Sequence, residues 1–262
     1  MLKERYGDVG VTMRGHVAEV EIRRPPNNFF DHELIRDIAD ALDDLDQTRE
    51  CRAVVLCSEG KSFCAGANFS NRSASVLDSG SPRGRNPLYQ EAVRLFSTQK
   101  PVIAAVQGAA IGGGFGLAVF ADFRVACPEA RFAANFVKLG IHPGFGLTHT
   151  LPRIIGEQKA AEMFLTGVRI DGETAMKWGL VDRLVPLDSV RTEAFALANA
   201  IAENAPLAVQ STRLTLRRKL AAEVQEQTDR EGAEQTWLAR TEDHAEGVRS
   251  VAERRPGVYQ AR

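Results

Sequence analysis

The stretch "PVIAAVQGAAIGGGFGLAVFAD" (101–122) runs a short apolar strand into three consecutive glycines, after which the apolar residues fall at helical spacing. A strand that hands over to a helix through bare backbone leaves the first helical N–H groups free, and those groups attract negative charge at close range. Two common phosphate frames do not fit. A P-loop needs a closing Gly-Lys-Ser/Thr, which is absent, and a GxGxxG fingerprint fails because Val119 stands at its third glycine. A packing turn and an anion site without phosphate specificity both remain compatible with this segment alone.

The first half of the chain alternates short β-rich runs with longer amphipathic segments. "HVAEVEI" (16–22) alternates apolar and polar residues as a half-buried strand does, and "CRAVVLC" (51–57) is a continuously apolar, buried one. "DHELIRDIADALDDLD" (31–46) repeats apolar residues at Leu34, Ile35, Ile38, Leu42 and Leu45, with Asp31 placed to cap a helix. This order predicts an α/β layer protein with crossover connections. Residues 70–87, rich in serine, glycine, proline and arginine, read as a surface loop, either a flap or a solvated insertion. From about 187 onward the strand signals fade. Helices are expected there, including one long segment from Leu207 to about Arg240.

Charge excludes some partners. Thirty-three basic residues face thirty-four acidic ones, so no net field draws the chain to nucleic acid or an anionic membrane. The basic patch "STRLTLRRKL" (211–220) is expected to face solvent or a subunit. No secretory signal or bilayer-length apolar run is evident, and the four cysteines and five histidines lack zinc-type spacing. Reduced thiols, no metal and a cytoplasmic location are the expectation.

A second glycine turn changes the weight of the first. "GKSFCAGANFS" (60–70) directly follows strand "CRAVVLC", so two strands deliver small-residue turns to one sheet edge, where α/β proteins bind ligands. Two backbone N–H groups converging from separate turns are what an oxyanion hole requires.

The ordered series "RRPPNNFF", "VVLCSEGKSFCAGANF", "KPVIAAVQGAAIGGGFGLAVFADFRVA", "ARFAANFVKLGIHPGFG", "AAEMFLTGVRIDGETAMKWGLVDRLVP" and "EGVRSVAERRPG" resembles the crotonase superfamily, which includes enoyl-CoA hydratases and isomerases. The resemblance implies a ClpP-like spiral of ββα units. A core over 1–198 would bind acyl-CoA, and a C-terminal helical region over 199–262 would serve trimer formation, with trimers often paired into hexamers. Coenzyme A would be part of the substrate, with no separate cofactor. Carried over position by position, the backbone N–H groups of Ala67 and Gly113 form the oxyanion hole. Ala65, Gly66, Asn68, Phe69, Gly112 and Gly114 lie along the ligand, with Pro26 and Asn28 nearby. Phe136, Pro143 and Gly144 belong to the acyl side. Most members carry aspartate where this chain has Asn68, a change expected to affect loop hydrogen bonding.

The departure concerns two glutamates that hydratases of the family use to position and activate water. Gly116 and Phe136 occupy those positions, and neither moves a proton. Replacement candidates are His142, on the turn "GIHPGFG", and Tyr89 and Glu91, on the segment before "PVIAAV". A turn histidine and a core aromatic are the blander readings of the first two. Phe136 and Phe145 are expected to shape an apolar acyl pocket. Glu129 lies in a turn facing water, and Ser62, His32 and His149 show no triad spacing. The sequence therefore points to enolate chemistry on an acyl-CoA with poor hydration: isomerisation, decarboxylation, C–C cleavage or thioester hydrolysis. A non-catalytic acyl-CoA-binding homologue is the alternative.

Overall fold

The computed structural model describes residues 2–68 and 86–262. The strands are β1 (Arg5–Tyr6), β2 (Val9–Arg14), β3 (Val17–Ile22), β4 (Ala53–Ser58), β5 (Val102–Val106), β6 (Ala109–Ile111), β7 (Phe123–Ala126), β8 (Arg131–Ala133), β9 (Arg169–Asp171) and β10 (Arg183–Leu184). The helices are α1 (His32–Gln47), α2 (Pro87–Ser97), α3 (Gly113–Val119), α4 (Leu147–Ile155), α5 (Glu157–Thr166), α6 (Gly172–Lys177), α7 (Val190–Ala202), α8 (Pro206–Leu216), α9 (Leu220–Leu238) and α10 (Glu242–Ala252).

The strands form two sheets. The larger has the order β1-β2-β3-β4-β5-β7-β10, antiparallel through β3 and parallel beyond it, and the smaller is β6-β8-β9. The chain passes from the first sheet to the second and returns through a helix: β5, then β6, then α3, then β7. The turn after β4 follows the same path without forming a full strand, since Cys64 bridges Ala110 of β6 in parallel and Ala67 bridges Phe30. These repeats are the ββα spiral that the resemblance implied.

Local chemistry explains most elements. Asp31 caps α1 by accepting from the Leu34 N–H at 2.9 Å, and the apolar stripe Leu34, Ile35, Ile38, Leu42 and Leu45 is buried. β3 is more deeply buried than its alternation suggests. Glu19 is buried and stays ionically paired, to Arg14 at 3.0 Å and to Arg191 at 3.6 Å, because α7 packs over the sheet and brings Arg191 with it.

The C-terminal part departs from expectation twice. The long helix from Leu207 is two helices, α8 and α9, broken at Lys219, whose φ of 75° is left-handed. The boundary at 198 falls inside α7, which packs against β4, β5 and β7 and so belongs to the core. α9 then packs on α2 and α4, and α10 on a 3-10 turn over Asn135–Leu139, all within the same chain. α8 is held to the body through Arg213, which pairs with Asp122 at 2.8 Å, and is otherwise exposed. Of its eleven residues Arg213 alone is buried, while Leu207, Leu214 and Leu216 are exposed.

Candidate active site

The two glycine turns are joined backbone to backbone. The Cys64 N–H donates to the Ala109 carbonyl at 2.9 Å and the Ile111 N–H to the Cys64 carbonyl at 3.0 Å, so the first turn is an added strand on β6. Phe30 fixes the rest: its N–H donates to the Gly66 carbonyl at 3.0 Å. Its ring lies so close to Gly113 that a Cβ there would sit 2.1 Å from Cζ. One phenylalanine thus touches both turns. The Gly112 N–H is spent on the Ala133 carbonyl at 2.8 Å, whereas Gly113 opens α3 and has no carbonyl one turn back. Among the described residues neither the Ala67 nor the Gly113 N–H has a backbone acceptor.

Both residues line a cavity of about 920 Å³. Ala65, Gly66, Asn68 and Gly112 share that wall, and Phe136, Ile141, Gly144 and Phe145 supply a second, mostly apolar part of the lining. Ala245, Val248 and Val251 of α10 also line it, so the C-terminal region contributes to the cavity of its own chain. Among the described residues no aspartate, glutamate or histidine lines the cavity; its charged side chains are Arg131, Arg169 and Arg249.

The structure redistributes several expected site residues. Gly116 does not line the cavity, because a Cβ there would lie 2.6 to 2.8 Å from Phe145 atoms: the aromatic ring fills the room an acid would need. Phe145 is buried, holds a φ of 65° and packs on Phe30 with ring centroids 5.9 Å apart. Phe136 lines the cavity. His142 is set outside the cavity, its Nδ1 bonded to the Pro143 carbonyl at 2.7 Å, so the candidate proton carrier is a turn residue. Glu91 also lies outside, paired with Arg94, which in turn binds Asp40 and Asp43 of α1. Pro143 is buried within its turn and does not line the cavity, and Gly114 packs against the Cys64 carbonyl instead. Asn28 is fully buried and its amide donates to the Glu59 and Ser62 carbonyls at 2.8 and 2.7 Å, which makes it a pin for its own turn. Pro26 borders a smaller hollow next to Asn68. Phe69 and residues 70–85 of the expected flap lie outside the described residues.

Of the replacement candidates, only Tyr89 reaches the cavity. Its hydroxyl donates to Gln235 Oε1 at 2.7 Å, and Gln235 Nε2 donates to the His142 carbonyl at 2.8 Å. Burial, reinforced by the charge of Glu231, pushes the Tyr89 phenol well above its ordinary value, against the hydrogen bonds from its neighbours, so it stays a donor rather than a base.

Glu231 escaped the sequence reading. It is completely buried on α9 and accepts from the Gly146 N–H at 2.7 Å, the Thr148 N–H at 3.1 Å and the Thr148 hydroxyl. Its carboxyl therefore caps α4 from another helix, and burial pushes it up to about 7 despite those three donors. Glu231, one of two glutamates in the polar run "DREGAEQ", carries no local signal of this, since its partners are 83 and 85 residues away.

Among the described residues no cluster suits a metal ion, and no helix is long and apolar enough to cross a membrane. The enoyl-CoA hydratase/isomerase family model matches residues 12–262. A Mycobacterium tuberculosis protein named "Probable enoyl-CoA hydratase EchA14" is 37% identical over 214 residues, covering 81% of this chain and 82% of that one. A short-chain-enoyl-CoA hydratase of Clostridium acetobutylicum is 33% identical, covering 92% and 93%. The crystal structure of a carnitinyl-CoA hydratase from Mycobacterium avium superposes with a TM-score of 0.85 at 32% identity, covering 98% of this chain and all of that one. A spiral fold, two glycine turns stitched into one wall and full-length relatedness agree: this chain belongs to the enoyl-CoA hydratase/isomerase (crotonase) family.

Proposed function

We propose that the chain is an acyl-CoA enzyme that holds a thioester enolate between the Ala67 and Gly113 N–H groups and runs a reaction needing no protein carboxylate at the acyl group. The carrying observation is that the Phe145 ring occupies the room beside Gly116. An oxyanion donor contributes about 10² to 10³ in rate and a placed acid or base about 10² to 10⁴, so a site with donors alone keeps enolate stabilisation and loses water activation. Decarboxylation fits that balance most directly; isomerisation, C–C cleavage and thioester hydrolysis fit where the substrate itself or solvent supplies the proton carrier or the water. In decarboxylation, for instance, an α-carboxylate of the substrate leaves as CO₂, the electron pair of the breaking C–C bond enters the thioester carbonyl, the two N–H groups receive the enolate charge, and solvent returns a proton to Cα.

The apolar part of the lining supports a hydrocarbon-rich acyl part, and the cavity arginines suit the anionic groups of coenzyme A. A second copy covering α8 is the reading that exposed Leu207, Leu214 and Leu216 support. Crotonyl-CoA hydration tests the chemistry. Wild type is expected to turn over at least roughly a hundredfold more slowly than the Clostridium relative, the loss of one placed acid or base. Gly116→Glu combined with Phe145→Ala is expected to raise hydration. Turnover equal to that relative's by the unaltered chain would refute the reading.

A further inference from the structure

The proposed donor N–H groups of Ala67 and Gly113 sit on turns that main-chain bonds join only in part. Among the described residues the last bond from turn to turn runs from the Ile111 N–H to the Cys64 carbonyl. Ala67 lies further along, and Gly66, left-handed at a φ of 85°, bends the chain between the two. A third segment carries the first turn past Cys64. The Ala65 N–H donates to the Asn27 carbonyl at 2.9 Å, and the Phe30 N–H donates to the Gly66 carbonyl at 3.0 Å.

That segment is held on both sides of Phe30. Before it, the buried Asn28 accepts from the Arg24 N–H at 3.0 Å while its amide holds the Glu59 and Ser62 carbonyls. After it, Asp31 caps α1 and accepts from the Arg24 guanidinium at 2.8 Å. Phe30 itself is buried, and its ring leaves the first turn and meets the second. Of all neighbours of a Cβ placed on Gly113, the nearest is Cζ, the outermost atom of that ring. Phe145 packs on the same ring at a tilt of 59°. The main chain of Phe30 thus holds the Ala67 turn and its ring backs Gly113.

We infer that Phe30 is a positioning residue, which sets the separation of the Ala67 and Gly113 N–H groups and so how strongly they polarise a thioester carbonyl. Such donors act only within hydrogen-bond range of the oxygen, and a displacement on the order of 0.5 Å loosens a site of this kind. The inference rests on the acyl-CoA reading and adds to it a residue with no polar side-chain atom. Leucine at position 30 keeps the bond to Gly66, because every residue except proline supplies that N–H. Its side chain ends short of the Cζ position, so the exchange separates the ring from the main chain.

The test reads the carbonyl itself. Hexanoyl-CoA labelled with carbon-13 at the thioester carbon is bound to saturation, and isotope-edited infrared spectroscopy follows the carbonyl stretch. Wild type is expected to lower its frequency relative to the free ester. Phe30→Leu is expected to lose about half of that shift or more, as for one of two donors displaced, with Kd within about tenfold of wild type. Phe30→Met, with an unbranched side chain that fills such gaps, is expected to retain more of the shift than Phe30→Leu. A merely structural ring would change the melting temperature and leave the band of the folded, saturated protein in place. The full shift in Phe30→Leu, or a smaller one in Phe30→Met than in Phe30→Leu, overturns the assignment. So does failure of both variants to fold, which would make Phe30 a residue of the general core. A bound ester with no shift in wild type refutes instead the pairing of Ala67 and Gly113 as donors, and absence of ester binding refutes the acyl-CoA reading.

Discussion

The two walls of the cavity are built on opposite principles. The glycine wall is held by main-chain bonds, Cys64 to Ala109 and Ile111, Phe30 to Gly66, Gly112 to Ala133, and its chemistry is backbone N–H. The second wall is held by side chains reaching in from distant helices: Tyr89 from α2, and Gln235 and Glu231 from α9. The first wall has no room for a Cβ at Gly66 or Gly113 but asks little of side-chain identity, whereas the second is set by side-chain chemistry and is where substrate choice and pH response should reside.

The largest effect is expected where the backbone wall is invaded. In Gly113→Val the new Cβ meets the Phe30 ring, at 2.1 Å from Cζ before any relaxation. Overpacking of this kind costs about 1 to 3 kcal/mol, which a well-packed core can survive. The displaced N–H, however, removes one oxyanion donor, so turnover is expected to fall by about 10² to 10³ with a folded protein by circular dichroism. An active Gly113→Val would mean that the hole is elsewhere.

The difference between the walls also explains what is legible in the sequence. Glycines at 112–114 and 66 announce a bare-backbone wall because no other residue type serves there, and the strand–turn–helix order places it. Asp31 and the stripe from Leu34 to Leu45 are equally local signals. The second wall is assembled from residues far apart in sequence: Tyr89 and Gln235 are separated by 146 positions, and nothing near either names the other. His142 reads as better placed than Gln235 because proximity to the "GIHPGFG" turn is visible in sequence and side-chain direction is not. The break at Lys219 is hidden for a related reason, as "LRRKL" contains neither glycine nor proline to mark it.

An intermediate effect is expected at Glu231. Its folded value of about 7 lies above the ordinary 4.5, so between those values the folded protein keeps a proton that the unfolded chain releases. The associated stability is complete below about pH 4.5 and is lost as pH rises through about 7. At about 1.36 kcal/mol per pH unit that is about 3 kcal/mol. A glutamine side chain has no titrating proton, so the stability advantage of wild type over Glu231→Gln should narrow by about that amount across this window in urea melts. A gap that widens instead would show that the three donors on the carboxylate outweigh its burial.

The smallest effect belongs to the residue that sequence reasoning places first for proton transfer. His142 holds its imidazole against the Pro143 carbonyl and away from the cavity, while its own carbonyl accepts from Gln235. His142→Ala removes the first bond and leaves the second, because a backbone carbonyl does not depend on the side chain. The loss is expected to be about 1 kcal/mol of stability, with kcat within about twofold of wild type on any substrate found. A fall in kcat of about a hundredfold, the scale of a placed acid or base, with Kd for the CoA ester unchanged, would instead put the imidazole at the reacting carbons. The second wall would then carry acid–base chemistry after all.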